Sequence, residues 1–308
     1  MENYKYIFGP IPSRRMGLSV GISPIPKKYC NYSCTYCQIG RTHSLTNKRE
    51  EYFKLEDIIN EFKQFLSEYK DFDVVTVCGE GEPTLYLRLG DLIAELKKLT
   101  SKPVAVITNS ALMYDSQVRE DLKKADIVLP SLDAYKEDMF KKINRAYGTI
   151  KLKDILEGLK IFSKEYTGQL WIEIMIMKSF NDSTEDFKEF KAILDNLTYD
   201  RVYINSPVRP PAEDYVSKPS KESLAEAVEI IGGSSIDEFS SQSFHSEIKN
   251  DYEAILSIIK RHPMNQFEIK AFIEGRNNSP TENIFDRLST DNSVEVVNYK
   301  NYISYRLK

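Results

Sequence analysis

Apolar positions along the chain alternate between two rhythms. Over residues 53–69 they recur at Leu55, Ile58, Ile59, Phe62 and Leu66, the spacing of one helical face. The compact run Val74-Val75-Thr76-Val77-Cys78 follows, β-branched and closed by Gly79, which reads as a strand buried on both faces. The rhythm then repeats. It predicts helices near 89–99, 117–124, 136–143, 152–162, 184–197 and 221–231, and strands at 104–107, 127–129, 170–177 and 202–204. Ahead of them, Leu18-Ser19-Val20-Gly21-Ile22 alternates like a short strand, after a leader rich in Gly and Pro. Alternating strands and helices imply an α/β fold with a parallel sheet. Six strand–helix units are too few for a closed eight-stranded barrel, so the expectation is an open, partial (β/α)6 barrel over residues 1–233.

After Gly232-Gly233-Ser234-Ser235 the pattern changes. Residues 234–246 read as a Ser-rich linker, and 247–308 as a separate small domain. That domain shows helices at 252–260, 266–273 and 281–288, then strands at 294–297 and 302–307 around a tight turn. Three short helices and a terminal hairpin resemble a winged helix. Its nine basic and eight acidic residues between 249 and 308 fall short of the basic footprint of a nucleic-acid reader. A protein contact is therefore expected of it rather than DNA reading.

The whole chain carries a formal net charge of −4, which offers no general attraction to nucleic acid or to an anionic membrane. No apolar run is long enough to span a bilayer and no signal-peptide pattern opens the chain, so a cytoplasmic protein without a membrane partner is expected.

Three of the four cysteines, Cys30, Cys34 and Cys37, fall within eight residues in a CX3CX2C spacing. Pairing them as disulfides would leave one sulfur over, so they read as a metal or cluster site. A cubane has four irons, and three cysteines leave one iron open for a further ligand. Zinc held with His43 as a fourth ligand is the alternative.

In a parallel barrel, ligands meet the carboxyl ends of the strands. Those ends here are Cys78-Gly79-Glu80-Gly81-Glu82-Pro83, Thr108-Asn109-Ser110, Pro130-Ser131-Leu132-Asp133, Met177-Lys178-Ser179 and Asn205-Ser206-Pro207. All are polar or turn-forming after apolar strands, which points to one shared site. Asn109, Ser131, Asp133 and Asn205 serve either that site or the caps of the turns that follow. Glu173 shares a strand face with positions 171 and 175, which puts a carboxylate inside the barrel and suggests a ligand-facing role. Cys78 is either a buried structural thiol or a group contacting substrate. Arg14 and Arg15 are either a solvated pair or an anion site near the cluster.

The cysteine spacing, an aromatic (Tyr36) before the last cysteine, and the Gly-Glu-Pro turn after the next strand resemble the radical S-adenosylmethionine superfamily. The resemblance implies a [4Fe–4S] cluster on Cys30, Cys34 and Cys37, with S-adenosylmethionine chelating the open iron. It implies Tyr36 beside the adenine and Gly81, Glu82 and Pro83 holding the amino group. The general pattern has Gly where this chain has Glu80, so either Glu80 or Glu82 supplies the carboxylate. The stretches 8–19, 79–85, 129–134 and 204–211 are similar to the iron–sulfur oxidoreductases related to wyosine synthetases, which modify a guanosine in transfer RNA. That similarity covers roughly residues 5–215. It implies reductive cleavage to a 5′-deoxyadenosyl radical, an electron donor such as flavodoxin or ferredoxin, and a substrate that is RNA or protein. A transfer-RNA-modifying enzyme is one alternative. An iron–sulfur redox-sensing regulator with a DNA-binding winged helix is another.

Overall fold

The computed structural model of the chain describes residues 4–236, 244, 246, 248, 250–260, 262–276, 281–299 and 302–308. Its centre is an eight-stranded sheet whose spatial order follows the sequence. The strands are β1 (Ile7–Ser13), β2 (Gly17–Ile22), β3 (Val74–Val77), β4 (Val104–Thr108), β5 (Ile127–Pro130), β6 (Gln169–Met175), β7 (Arg201–Asn205) and β8 (Ser234–Ser235). Every neighbouring pair from β2 to β8 is parallel, and β1 runs antiparallel to β2.

The helices return the chain between parallel strands, as such a sheet requires. They are α1 (Leu55–Glu68), α2 (Leu89–Leu99), α3 (Ser116–Leu122), α4 (Glu137–Ile143), α5 (Leu152–Glu165), α6 (Thr184–Leu194) and α7 (Lys221–Ile231). On α1 the buried stripe is Leu55, Ile58, Ile59, Phe62 and Phe65. Phe65, one residue before the expected Leu66, takes the last core position. Val75, Val77, Val104 and Val106 pack with the helices in the main core. Their strand neighbours Val74 and Ala105 join Ile127, Leu129, Trp171 and Tyr203 in a second apolar cluster on the opposite face. Period-two alternation thus divides each strand between two cores.

Two strands depart from the six expected. Residues 7–13, read as an irregular leader, form β1. Its Gly9, Pro10 and Pro12 are tolerable because β1 is an edge strand, where a missing N–H costs no central ladder bond. Its register with β2 shifts between Phe8 and Ile11. The start of the expected linker is also sheet, since Ser234 and Ser235 pair with Tyr203 and Ile204. Linker residues 237–243 and 245 lie outside the described residues.

The C-terminal unit contains α8 (Asp251–Ile259), β9 (Met264–Asn265), α9 (Gln266–Glu274), α10 (Thr281–Thr290), β10 (Val294–Tyr299) and β11 (Tyr302–Leu307). β9 was not anticipated. It completes a three-stranded antiparallel sheet in the order β9-β11-β10. The unit has its own apolar core, including Ile255, Ile258, Ile269, Phe272 and Leu288. It meets the large domain in two places: α8 sits beside β1, and Arg209, just past β7, pairs with Glu268 and contacts His262. Among the described residues no helix is long and apolar enough to cross a membrane.

Phe62 is completely buried. Phe62→Ala is expected to lower the unfolding free energy by about 3–5 kcal/mol, the range for removing a buried phenyl ring. Anaerobic urea denaturation measures it, and a change below about 1 kcal/mol would contradict the packing described.

Candidate active site

The cysteine loop hangs on backbone bonds to two distant segments. Tyr29-Cys30 pairs in parallel with Ser44-Leu45. The amides of Ser33 and Thr35 donate to the carbonyls of Asn144 (3.0 Å) and Ile143 (2.9 Å), so the end of α4 holds the back of the loop. Tyr147 N donates to Asn31 O at 2.8 Å and closes the arrangement.

Two side-chain amides point at the sulfurs. Asn109 Nδ2 lies 3.5 Å from Cys30 Sγ, and Asn144 Nδ2 lies 3.6 Å from Cys34 Sγ. Burial pushes all three thiols up from their ordinary range; for Cys30 and Cys34, nearby acidic groups add to the effect. Three half-buried sulfurs in such surroundings ionise more readily against a bound cation. Soft sulfur donors with amides aimed at them fit an iron–sulfur cluster, which takes one thiolate per iron. Among the described residues no three His, Cys, Asp or Glu side chains, His43 included, are grouped to hold a single ion.

Glu82 lies at the centre of the strand ends, 2% exposed. Its carboxylate accepts from Thr84 N (3.0 Å), Thr84 Oγ1 (2.6 Å), Thr108 Oγ1 (2.6 Å) and Asn109 N (2.8 Å). Burial raises its pKa against the pull of these four donors. The carboxylate thus caps the short 3₁₀ turn Pro83–Leu85 and joins the loop after β3 to the loop after β4. Asn109, so anchored, passes the constraint on to Asn31 (2.8 Å) and Cys30. Glu80 is also buried; its carbonyl accepts from Lys28 N at 2.5 Å.

Glycine is required on both sides of Glu80. A Cβ at Gly79, whose φ is +138°, would lie 2.4 Å from Ser23 Oγ, and one at Gly81 would lie 2.0 Å from Tyr29 O. Only glycine lets this turn press against the strand that carries Cys30.

Tyr36, expected beside the adenine, and Asp133, expected at the shared site or as a turn cap, are bonded to each other. Tyr36 Oη donates to Asp133 Oδ2 at 2.5 Å, and Asn144 Nδ2 (2.9 Å) and Met175 N (3.1 Å) donate to the same carboxylate. Burial still raises the Asp133 carboxyl above its ordinary value, against those donors. Ser131 contributes its backbone, accepting from Ser110 Oγ at 2.7 Å and donating to Thr108 O at 2.9 Å.

Glu173 does point into the barrel. There it pairs with Arg15, and Asn205 Nδ2 donates to it at 3.3 Å. Arg15 is therefore no solvated charge, and the ion pair accounts for a buried carboxylate without a ligand. Cys78, half-buried at the end of β3, lies within electrostatic reach of Arg15.

Several residues of the site escaped the sequence. Arg145 pairs with Glu213 at 2.5 Å, as does Arg41 at 2.8 Å. Glu213 N donates to Thr35 O at 3.1 Å, so the segment after β7 is strapped over the cysteine loop. Neither Glu213 nor Asn144 had a motif to mark it, because their partners come from other strands.

A sequence profile of the radical SAM superfamily matches residues 25–190, the span holding the cysteine loop and the strand ends. The chain belongs to this superfamily and, within it, to the UPF0026 proteins: it is 36% identical to one from Methanocaldococcus jannaschii, over 88% of this chain and 86% of that one. It is thus an enzyme that uses a [4Fe–4S] cluster and S-adenosylmethionine. A probable dual-specificity RNA methyltransferase RlmN of Thermotoga petrophila is 28% identical over 68% of the chain and 60% of its own length. The solved structure of TYW1 with a lysine-pyruvate adduct bound shares the fold, with a TM-score of 0.52 and 20% identity over 73% of this chain and 75% of that one.

Glu213→Gln is expected to loosen the strap, seen as faster chymotryptic cleavage after the exposed Tyr215 with the rest of the digest unchanged. Acid should act alike. The Arg41 hydrogen bonds lower the Glu213 pKa, so its contribution is present above the unfolded carboxyl value and lost as pH falls through the folded one. Protection of the Glu213 amide from hydrogen exchange, corrected for intrinsic rate, measures it. Unchanged protection in acid would contradict the assignment.

Proposed function

We propose that Cys30, Cys34 and Cys37 each ligate one iron of a [4Fe–4S] cluster and that S-adenosylmethionine occupies the fourth. The observation that carries this is the set of three half-buried thiols in one loop, two of them faced by side-chain amides. When bound, the reduced cluster supplies the electron that breaks the 5′ carbon–sulfur bond of S-adenosylmethionine, giving methionine and a 5′-deoxyadenosyl radical that takes hydrogen from substrate. Glu82 and Asn109 hold the cysteine strand and the Gly-Glu-Pro turn in register. Because all the donors around Glu82 come from the protein, Glu80 is the better candidate to meet the amino group. The Tyr36–Asp133 pair fixes the side of the loop on which the adenine would lie.

The substrate favoured by this reading is RNA. The support is the similarity to the RNA methyltransferase RlmN and the resemblance to wyosine synthetases in residues 5–215. Flavodoxin or ferredoxin is the proposed electron donor, and the cytoplasm the proposed location. We further propose domain limits of 1–233 and 247–308, with residues between them as connection and the C-terminal unit a winged helix in the service of protein contact. Its core of three helices beside a three-stranded sheet supports that reading.

Anaerobic reconstitution with iron and sulfide, followed by dithionite and S-adenosylmethionine, tests the central claim. The wild type should bind about four irons and release 5′-deoxyadenosine. Cys37→Ala should lose at least tenfold in product while folding normally. A protein that loads a cluster yet forms no 5′-deoxyadenosine, even with total RNA added, would overturn the enzymatic reading. Operator-like DNA binding that changes with cluster oxidation would replace it with a sensor.

A further inference from the structure

The segment just beyond the third cysteine is flanked by two cations from opposite ends of the chain. Arg306, on β11, reaches out of the C-terminal unit and donates through Nη1 to the carbonyls of Gln38 (3.4 Å) and Pro211 (3.5 Å). Gln38 directly follows Cys37, whose own carbonyl accepts from Gly40 N at 3.0 Å. A Cβ built on Gly40 would lie 3.4 Å from Lys28 Nζ and 4.0 Å from the guanidinium carbon of Arg306, so both cations border this short turn.

Arg306 carries its own counter-charge. Its Nε and Nη2 donate to Glu295 at 2.8 and 3.1 Å, from the neighbouring strand β10. Those hydrogen bonds hold the Glu295 carboxyl below its usual range, and Lys28 adds to the effect. Lys28, Arg306 and Glu295 therefore form one group with net positive charge, and two of its three members belong to the C-terminal unit. A third tie, from Lys27 Nζ to the carbonyls of Leu307 (3.4 Å) and Lys308 (2.7 Å), holds the end of β11 to the same part of the cysteine segment.

We propose that Lys28 and Arg306 form a cationic clamp behind the third cysteine, through which the C-terminal unit sets how readily the cluster accepts an electron. This rests on the reading of Cys37 as a ligand. Reduction adds one negative charge to the cluster, and a nearby fixed cation stabilises the reduced form relative to the oxidised one. Glu295 works against that effect. Arg306 is thus a positioning residue, acting through the field and the seating of the Cys37 turn. Cluster reducibility becomes tied to whether the C-terminal unit is in place.

The test is an anaerobic redox titration of the reconstituted full chain, followed by the electron paramagnetic resonance signal of the reduced cluster. Arg306→Gln and Lys28→Gln should each move the midpoint to more negative potential, and Arg306→Lys should stay near wild type. Glu295→Gln, which leaves Arg306 without its counter-charge, should move it to more positive potential. Iron content and circular dichroism verify loading and fold, and Lys28→Gln keeps the test open if Arg306→Gln misfolds. Shifts in the same direction for Arg306→Gln and Glu295→Gln would show mere loosening of the unit and overturn the proposal, as would no shift in Arg306→Gln and Lys28→Gln. Unmoved potentials together with normal 5′-deoxyadenosine release would refute the clamp alone. Failure of the wild type to take up iron would refute the cluster ligation beneath it.

Discussion

A buried carboxylate must be met by donors or it destabilises the protein that holds it. Glu82 meets that condition with two backbone amides and two threonine hydroxyls, drawn from its own turn and from the end of β4. Hydrogen bonds to an ionised acceptor are about twice as strong as neutral ones. The two adjacent strand ends are therefore locked in relative position, and Asn109 carries the lock to Asn31 and Cys30. It adds to the backbone bond from Glu82 N to Tyr29 O (3.1 Å), which ties the Gly-Glu-Pro turn to the strand of the first cysteine. The other side of the loop depends on Asp133 in the same manner, through Tyr36, Asn144 and Met175 N.

These two carboxylates explain how a loop with little regular structure can present three sulfurs in a defined arrangement. The loop makes only a two-residue ladder of its own, and its geometry is borrowed from the ends of α4, β4 and β5 and from the strap after β7. A site built this way sits on rigid elements, which suits a cofactor whose chemistry demands exclusion of water. Inside the barrel, the Arg15–Glu173 pair puts charge beneath the site without leaving either group alone. The C-terminal unit adds a further boundary beside β1 and the segment after β7.

Much of this architecture was legible from residue patterns. The six parallel strand–helix units followed from apolar spacing, because buried strands and one-sided helices leave different periods. β1 was hidden because Gly9, Pro10 and Pro12 mimic a loop, and only its edge position makes them acceptable. β8 was hidden because two serines carry no strand signal; they pair because β7 offers a free edge. The cysteines announced themselves by spacing. Asn144, Arg145 and Glu213 did not, since a hydrogen bond or ion pair between distant segments leaves no local trace.

The sequence by itself determined the α/β class, the cysteine motif and the polar strand ends, for these depend on local periodicity and on side-chain chemistry. Tertiary structure alone decided which partners those residues meet. It surrounded Glu82 and Asp133 with donors from distant segments, gave Glu173 the partner Arg15, and brought Arg306 from the far end of the chain to the segment after the third cysteine. The reason is desolvation. Whether a buried charge serves a ligand or the fold depends on which donors reach it in space, and that is settled only when the strands have assembled.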